Sequence, residues 1–104
     1  MMVIYKMVDL SNVTGFEWDS GNETKNAKHK VTCRQAEEIF SNVPLWIADD
    51  VAHSKLEERA RAIGMTDDGQ VLVVAFTLRA GGTKIRVISA RTASRKERTE
   101  YESL

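Results

Sequence analysis

An α+β fold, with two N-terminal helices leading into a four-stranded antiparallel sheet and one C-terminal helix closing it, is what this 104-residue sequence predicts. Three observations carry that expectation. The hydrophobic period is helical up to Phe40 and shortens to that of strands beyond Pro44. Turn signals at Asp67-Asp68-Gly69 and Ala80-Gly81-Gly82 leave links too short for crossovers, so successive strands should run antiparallel. Two capping boxes, Thr32 with Gln35 and Ser94 with Glu97, mark helix starts on either side of the strand region.

Residues 1–15 read as an N-terminal extension, expected either as an edge strand or as a disordered lead, ahead of a single domain over 16–104. The opening MMVIYKMVDL is apolar, but Lys6 and Asp9 interrupt it and no small-residue cleavage site follows, which fits neither a signal peptide nor a membrane span. Phe16-Glu17-Trp18 is a short extended piece. Asp19 then serves as N-cap for a helix from about Gly21 to Lys30, built on poor formers in Gly21, Asn22 and Asn26. The helix capped by Thr32 sets Ala36, Ile39 and Phe40 on one face, and Pro44, the single proline, sits in the connection that ends it.

Four strands follow: LWIAD, short and peripheral; ERARAIGM; VLVVAFTL; and TKIRVISA. VLVVAFTL is apolar on both faces and therefore expected to be central. The last strand alternates Lys84, Arg86 and Ile88 against Ile85, Val87 and Ser89, which makes one face of the sheet partly wet and basic. The helix capped by Ser94 should run about two turns, through Tyr101.

Lysine plus arginine equals aspartate plus glutamate at 15 each, yet the charges are segregated. Residues 1–78 carry 8 basic and 12 acidic side chains, residues 79–98 carry 7 and 1, and residues 99–104 add two glutamates. Such a local basic stretch is the footprint expected of a polyanion site. Cys33 is the only cysteine, which excludes an intrachain disulfide and a cysteine-based metal site and suits a reducing cytoplasm, so a soluble cytoplasmic protein is expected. No glycine-rich phosphate loop, nucleophile elbow, paired-carboxylate motif or metal-ligand spacing appears, which argues against nucleotide hydrolases, glycosidases and metalloenzymes.

Cleavage of RNA without a metal needs a group to take the 2′-hydroxyl proton, fixed cations for the phosphorane charge, and a proton for the leaving oxygen. Arg59, Arg61, Arg79, Arg86 and Arg91 all fall on or at the ends of expected strands, and guanidinium binds phosphate bidentately without ever losing its charge. Taken singly, each reads first as a solvated position on an exposed sheet face. His29 and His53 are the only histidines, each read first as structural or exposed. Trp18 and Trp46 offer rings on which bases can stack, but read first as core-edge residues. Tyr101 either packs its ring on the sheet or aims its hydroxyl at a substrate.

The residues FEWD (Phe16 to Asp19), Asn26, Lys28-His29, Ala36 and Phe40, Glu57-Glu58-Arg59, Ala62-Ile63-Gly64, and above all IRVISAR (Ile85 to Arg91) with Glu97-Arg98 and Tyr101-Glu102, resemble the BrnT family of toxins. The resemblance spans roughly residues 16–102, and its IRVISAR element is the most specific part. It implies a RelE-like fold and the toxin of a bacterial type II toxin-antitoxin pair: a metal-independent endoribonuclease that cleaves RNA, blocks translation and needs no cofactor. It further implies a BrnA-like ribbon-helix-helix antitoxin, binding of operator DNA through that partner with repression of the operon, and a hetero-oligomer with two copies of each chain. On this reading Arg59, Arg86, Arg91, His29 and Tyr101 are the candidate catalytic residues, and Lys28, Arg61, Arg79, Lys84, Arg95 and Arg98 the RNA-binding ones. The same resemblance leaves room for a catalytically decayed RNA- or protein-binding module. Three positions depart from the family pattern: Lys30 where glycine is usual after Lys-His, and Ala60 and Arg61 where bulkier apolar residues are usual, which adds a cation.

Overall fold

The computed structural model describes residues 2–4, 9–50 and 58–104, the side chains of 2–4 and 25–28 excepted. His53, Glu57 and the side chains of Asn26 and Lys28, singled out above, lie outside that description. The element order is β1 (Met2–Ile4), β2 (Gly15–Glu17), α1 (Ser20–Lys28), α2 (Cys33–Glu38), β3 (Leu45–Asp49), β4 (Ala60–Met65), β5 (Val71–Arg79), β6 (Lys84–Thr92) and α3 (Arg95–Glu102). The fold is α+β, as expected. Among the described residues no helix is long and apolar enough to cross a membrane.

The sheet corrects the expected four antiparallel strands. Those four are present as the meander β3-β4-β5-β6, but the full order is β1-β3-β4-β5-β6-β2, six strands among the described residues. Both outer strands are parallel to their neighbours: β1 pairs Met2 with Leu45, and β2 pairs Gly15, Phe16 and Glu17 with Lys84, Ile85 and Arg86. LWIAD is therefore not peripheral. Three-residue strands have no readable period, and their pairing partners lie tens of residues away, so local pattern does not reveal them.

Two apolar clusters hold the layers together, one on each face of the sheet. The larger joins Ile47, Ala62, Val74, Phe76, Ile85, Val87 and Ala90 of the strands to Val31, Ala36 and Ile39 around α2. Phe40 stands edge-on to Phe76 with ring centres 5.2 Å apart, and Phe16 packs on Phe40 at 5.7 Å. Gly64 is where this layer comes closest to the strands: a Cβ there would meet Ile39 Cβ at 2.9 Å and its carbonyl oxygen at 3.1 Å. The smaller cluster, on the opposite face, gathers Val71, Val73, Ala93 and Tyr101 with Ile63 and Met65, and is roofed by α3.

Helix boundaries follow their caps. Both expected capping boxes form, Thr32 with Gln35 and Ser94 with Glu97. Asp19 caps α1, its Oδ1 accepting from the amides of Gly21 at 2.9 Å and Asn22 at 3.3 Å. At the far end of α1, Lys30 takes φ 59°, the left-handed conformation for which glycine is the favoured helix stop. The helix therefore stops without the glycine, at the cost of a strained lysine.

Candidate nucleic-acid interface

Strict two-residue alternation along β6 would separate Arg86 from Arg91, because they differ by an odd number of residues. The register places them together. Pairing with β5 runs Thr77↔Arg86 and Phe76↔Val87, then jumps to Ala75↔Ser89 and Val73↔Arg91, leaving Ile88 without a direct opposite. This bulge reverses the alternation, so Ser89 and Arg91 join Lys84 and Arg86 on the face away from the large core. The expected grouping of Ser89 with Ile85 and Val87 is corrected accordingly.

Cross-strand rows now assemble the face. One row reads Trp46, Ile63, Val73, Arg91; the next reads Ala48, Arg61, Ala75, Ser89. Beyond them come Thr77, Arg86 and Glu17, then Arg79, Lys84 and Gly15. Small side chains at Ala48, Ala75 and Ser89 stand in the row between Arg91 and the outer cations. Arg86 and Arg91 stand about 13 Å apart along the strand, and Arg61 is two strands, about 10 Å, from Ser89.

Carboxylates organise these cations. Arg86 donates from Nη1 to Asp19 Oδ2 at 2.8 Å and to Glu17 Oε1 at 3.0 Å, and from Nη2 to Asp19 Oδ1 at 3.2 Å. Hydrogen bonding to Asp19 raises the Arg86 pKa, and Arg86 in turn holds the Asp19 carboxyl below the ordinary carboxylate range. Arg79 Nη1 lies 3.8 Å from Glu17 Oε1. Arg91 makes a two-pronged pair with Glu97, Nη1 to Oε1 at 2.8 Å and Nη2 to Oε2 at 2.9 Å. That fork, more than the bond from the Ser94 amide, pulls the Glu97 pKa down to about 2. Arg61 is exposed, and among the described residues it joins no ion pair. Lys84 Nζ reaches Thr14 Oγ1 at 3.3 Å.

Not every expected site residue joins the face. Tyr101 is 4% exposed and its hydroxyl donates to the Pro44 carbonyl at 2.5 Å, with its pKa raised by burial. It fastens α3 to the start of β3, its hydroxyl engaged with that carbonyl. Arg59 precedes β4 and lines a cavity of about 350 Å³ with Asp9, Asp49 and Glu58, a cavity that Thr77 of the Arg86 row also lines. His29 is exposed just past the end of α1, and no hydrogen bond or ion pair of the arginine face includes it. The Lys28 side chain lies outside the described residues. Arg95 and Arg98 are exposed on α3, at the rim. Trp18 packs at the edge of the large core and donates to Glu37 Oε2 at 2.7 Å. Among the described residues no three His, Cys, Asp or Glu side chains converge to hold a metal ion.

Two kinds of residue escaped the sequence reading. Glu17, Asp19 and Glu97 carry no signal as partners, since each pairs with an arginine through the tertiary fold. Asn22 was legible: it is buried, accepts from the Asp19 amide at 2.7 Å, and donates to the carbonyls of Glu17 and Val87 at 2.9 Å each. Asp19-x-x-Asn22 is thus a reciprocal cap with asparagine in the place usually held by Glu or Gln. It joins β2, β6 and α1, and so holds Asp19 in front of Arg86.

No curated protein matches this chain. A family model described as the ribonuclease toxin, BrnT, of type II toxin-antitoxin systems matches residues 18–97, a span that contains Asp19, Asn22, Arg61, Arg86, Arg91 and Glu97. With more than half of the sequence matched, and the matched span running from the cap that holds Arg86 to the carboxylate that holds Arg91, the chain belongs to the BrnT family of ribonuclease toxins of type II toxin-antitoxin systems.

Proposed function

We propose that the basic face of β4, β5 and β6 is the RNA site of a metal-independent endoribonuclease that cleaves mRNA and halts translation. The observation that carries this reading is the bulge at Ile88, which puts Arg86 and Arg91 on the same face as Arg61, Arg79 and Lys84. Guanidinium groups held at fixed positions stabilise phosphorane charge without reorganising, the role a metal would otherwise fill. Arg61 meets the phosphate first. Arg86 and Arg91, aimed by their carboxylates, receive charge as it develops, while Arg79 and Lys84, and Arg95 and Arg98 on α3, follow the flanking backbone. His29 is the proton carrier by chemistry, with Lys28 beside it in sequence. The RelE-like relation of the fold rests on the same meander.

The antitoxin that membership of the family implies is on this reading a BrnA-like ribbon-helix-helix protein. Its dimeric DNA-binding part would give two copies of each chain and repress the operon through operator DNA. One observation favours the alternative of a decayed binding module: Arg86 and Arg91 are already satisfied by carboxylates, and among the described residues no histidine is hydrogen-bonded to them.

The test is incubation of purified, antitoxin-free protein with a defined RNA in excess chelator, wild type beside Arg61→Ala. Cuts that persist in chelator and slow at least tenfold in the variant support the reading. Cuts abolished by chelator overturn metal independence. Folded protein that binds RNA without cutting it establishes the decayed module.

A further inference from the structure

Along β3 Trp46 and Ala48 share the basic face, and Pro44 immediately precedes the strand. Tyr101 is fastened at Pro44, Arg61 stands opposite Ala48, and Trp46 lies between, paired with Ile63. A cleft of about 200 Å³ opens there, lined by Trp46, Ile63, Glu100, Tyr101 and Leu104. Its walls are apolar and aromatic except for the Glu100 carboxylate on the rim, and Leu104, at 52% exposed, is one of two large apolar side chains displayed to solvent among the described residues. Two residues of strand separate the cleft from the Arg61 row, about 7 Å. One nucleotide bridges that interval with its phosphate at Arg61 and its base in the cleft.

We infer that this cleft is a nucleobase subsite, with Trp46 as the stacking surface and Glu100 as the group that reads the base. The inference rests on the basic face being the RNA site, and it names which base is held beside it. Stacking on an aromatic ring is tolerant of sequence, because every base has a π-face. Selection comes from the carboxylate, which accepts hydrogen bonds and never donates them. Guanine presents two adjacent donors, N1–H and the N2 amino group, to one carboxylate; uracil presents a single N3–H. The cleft therefore prefers guanine next to the scissile phosphate. A protein partner's apolar side chain is the competing occupant, but it leaves the nearby Arg61 without a counterion, whereas a nucleotide supplies both the ring and the anion.

The experiment uses Trp18→Phe protein, in which Trp46 is the sole tryptophan, since the chain has two. It is titrated with fluorophore-labelled 2′-O-methyl trinucleotides, which carry no free 2′-hydroxyl, with guanine or uracil at the centre. Anisotropy of the label reports binding anywhere, and Trp46 emission reports the cleft. The expected result is quenching of Trp46, guanine bound about tenfold more tightly than uracil, and that preference lost in Glu100→Ala. In otherwise unchanged protein, Trp46→Leu should weaken both trinucleotides about tenfold, which keeps the test open if the Trp18 change disturbs folding. A rise in anisotropy with silent Trp46 and no base preference overturns the subsite while leaving the basic face standing. No rise in anisotropy overturns both. Trp46 emission that responds only to antitoxin assigns the cleft to the protein partner and overturns the proposal.

Discussion

Exchange Arg91 for Met and Glu97 for Gln, singly and together, and the resulting cycle isolates the fork at the strand-helix junction. Methionine keeps the apolar stem, and glutamine at that helix position still completes the capping box with Ser94, so each single change removes charge without removing packing or cap. The fall of the Glu97 pKa from 4.5 to about 2 sets a ceiling of about 3 kcal/mol on its contribution, at about 1.4 kcal/mol for each pKa unit. Geometry argues for less. The Arg91 side chain is 43% exposed and that of Glu97 23%, and pairs this open to water yield at most about 1 kcal/mol when loosely held. Two short bonds and a preset carboxylate raise that figure, so the expected coupling is about 1–1.5 kcal/mol. Because the folded pKa lies below the unfolded one, the contribution is complete above pH 4.5 and lost as pH falls toward 2. Urea unfolding at pH 7 and pH 3 measures both effects. Wild type should lose more stability than Glu97→Gln across that interval, and the coupling should shrink at the lower pH. A coupling under about 0.3 kcal/mol, or equal pH dependence in the two proteins, would refute the fork as an organising contact.

Asn22→Ala should destabilise by about 2–3 kcal/mol, because two buried carbonyls lose their donor, and thermal unfolding should shift down by about 10 °C or more. Cleavage by the folded fraction should also fall, since Asp19 loses its anchor in front of Arg86. Lys30→Gly should stabilise by about 0.5–1 kcal/mol by relieving a side chain at positive φ, read as a raised urea midpoint; no gain would mean the lysine is not strained there.

Much of the fold was legible because the signals were local. A capping box spans four residues, and both form where the sequence puts them. LWIAD coincides with Leu45–Asp49, since Pro44 and the change of period bracket it. The departure at Arg61 also reads as an added cation, and Arg61 is exposed. What failed depended on distant partners. The strand formed by Gly15–Glu17 exists by pairing with residues nearly seventy positions later, a partner that no local pattern announces.

By itself the sequence determined the α+β class, the central meander, the helix starts and the concentration of cations between Arg79 and Arg98, because periodicity, caps and charge are properties of neighbouring residues. Only the tertiary structure decided which of those cations act together. A strand assigns its side chains to faces by parity, and parity alone would have set Arg86 and Arg91 on opposite sides of the sheet. One residue's slip against Ala75 and Phe76 reverses it, and that slip is set by hydrogen bonds to a neighbouring strand rather than by the residues that it rearranges.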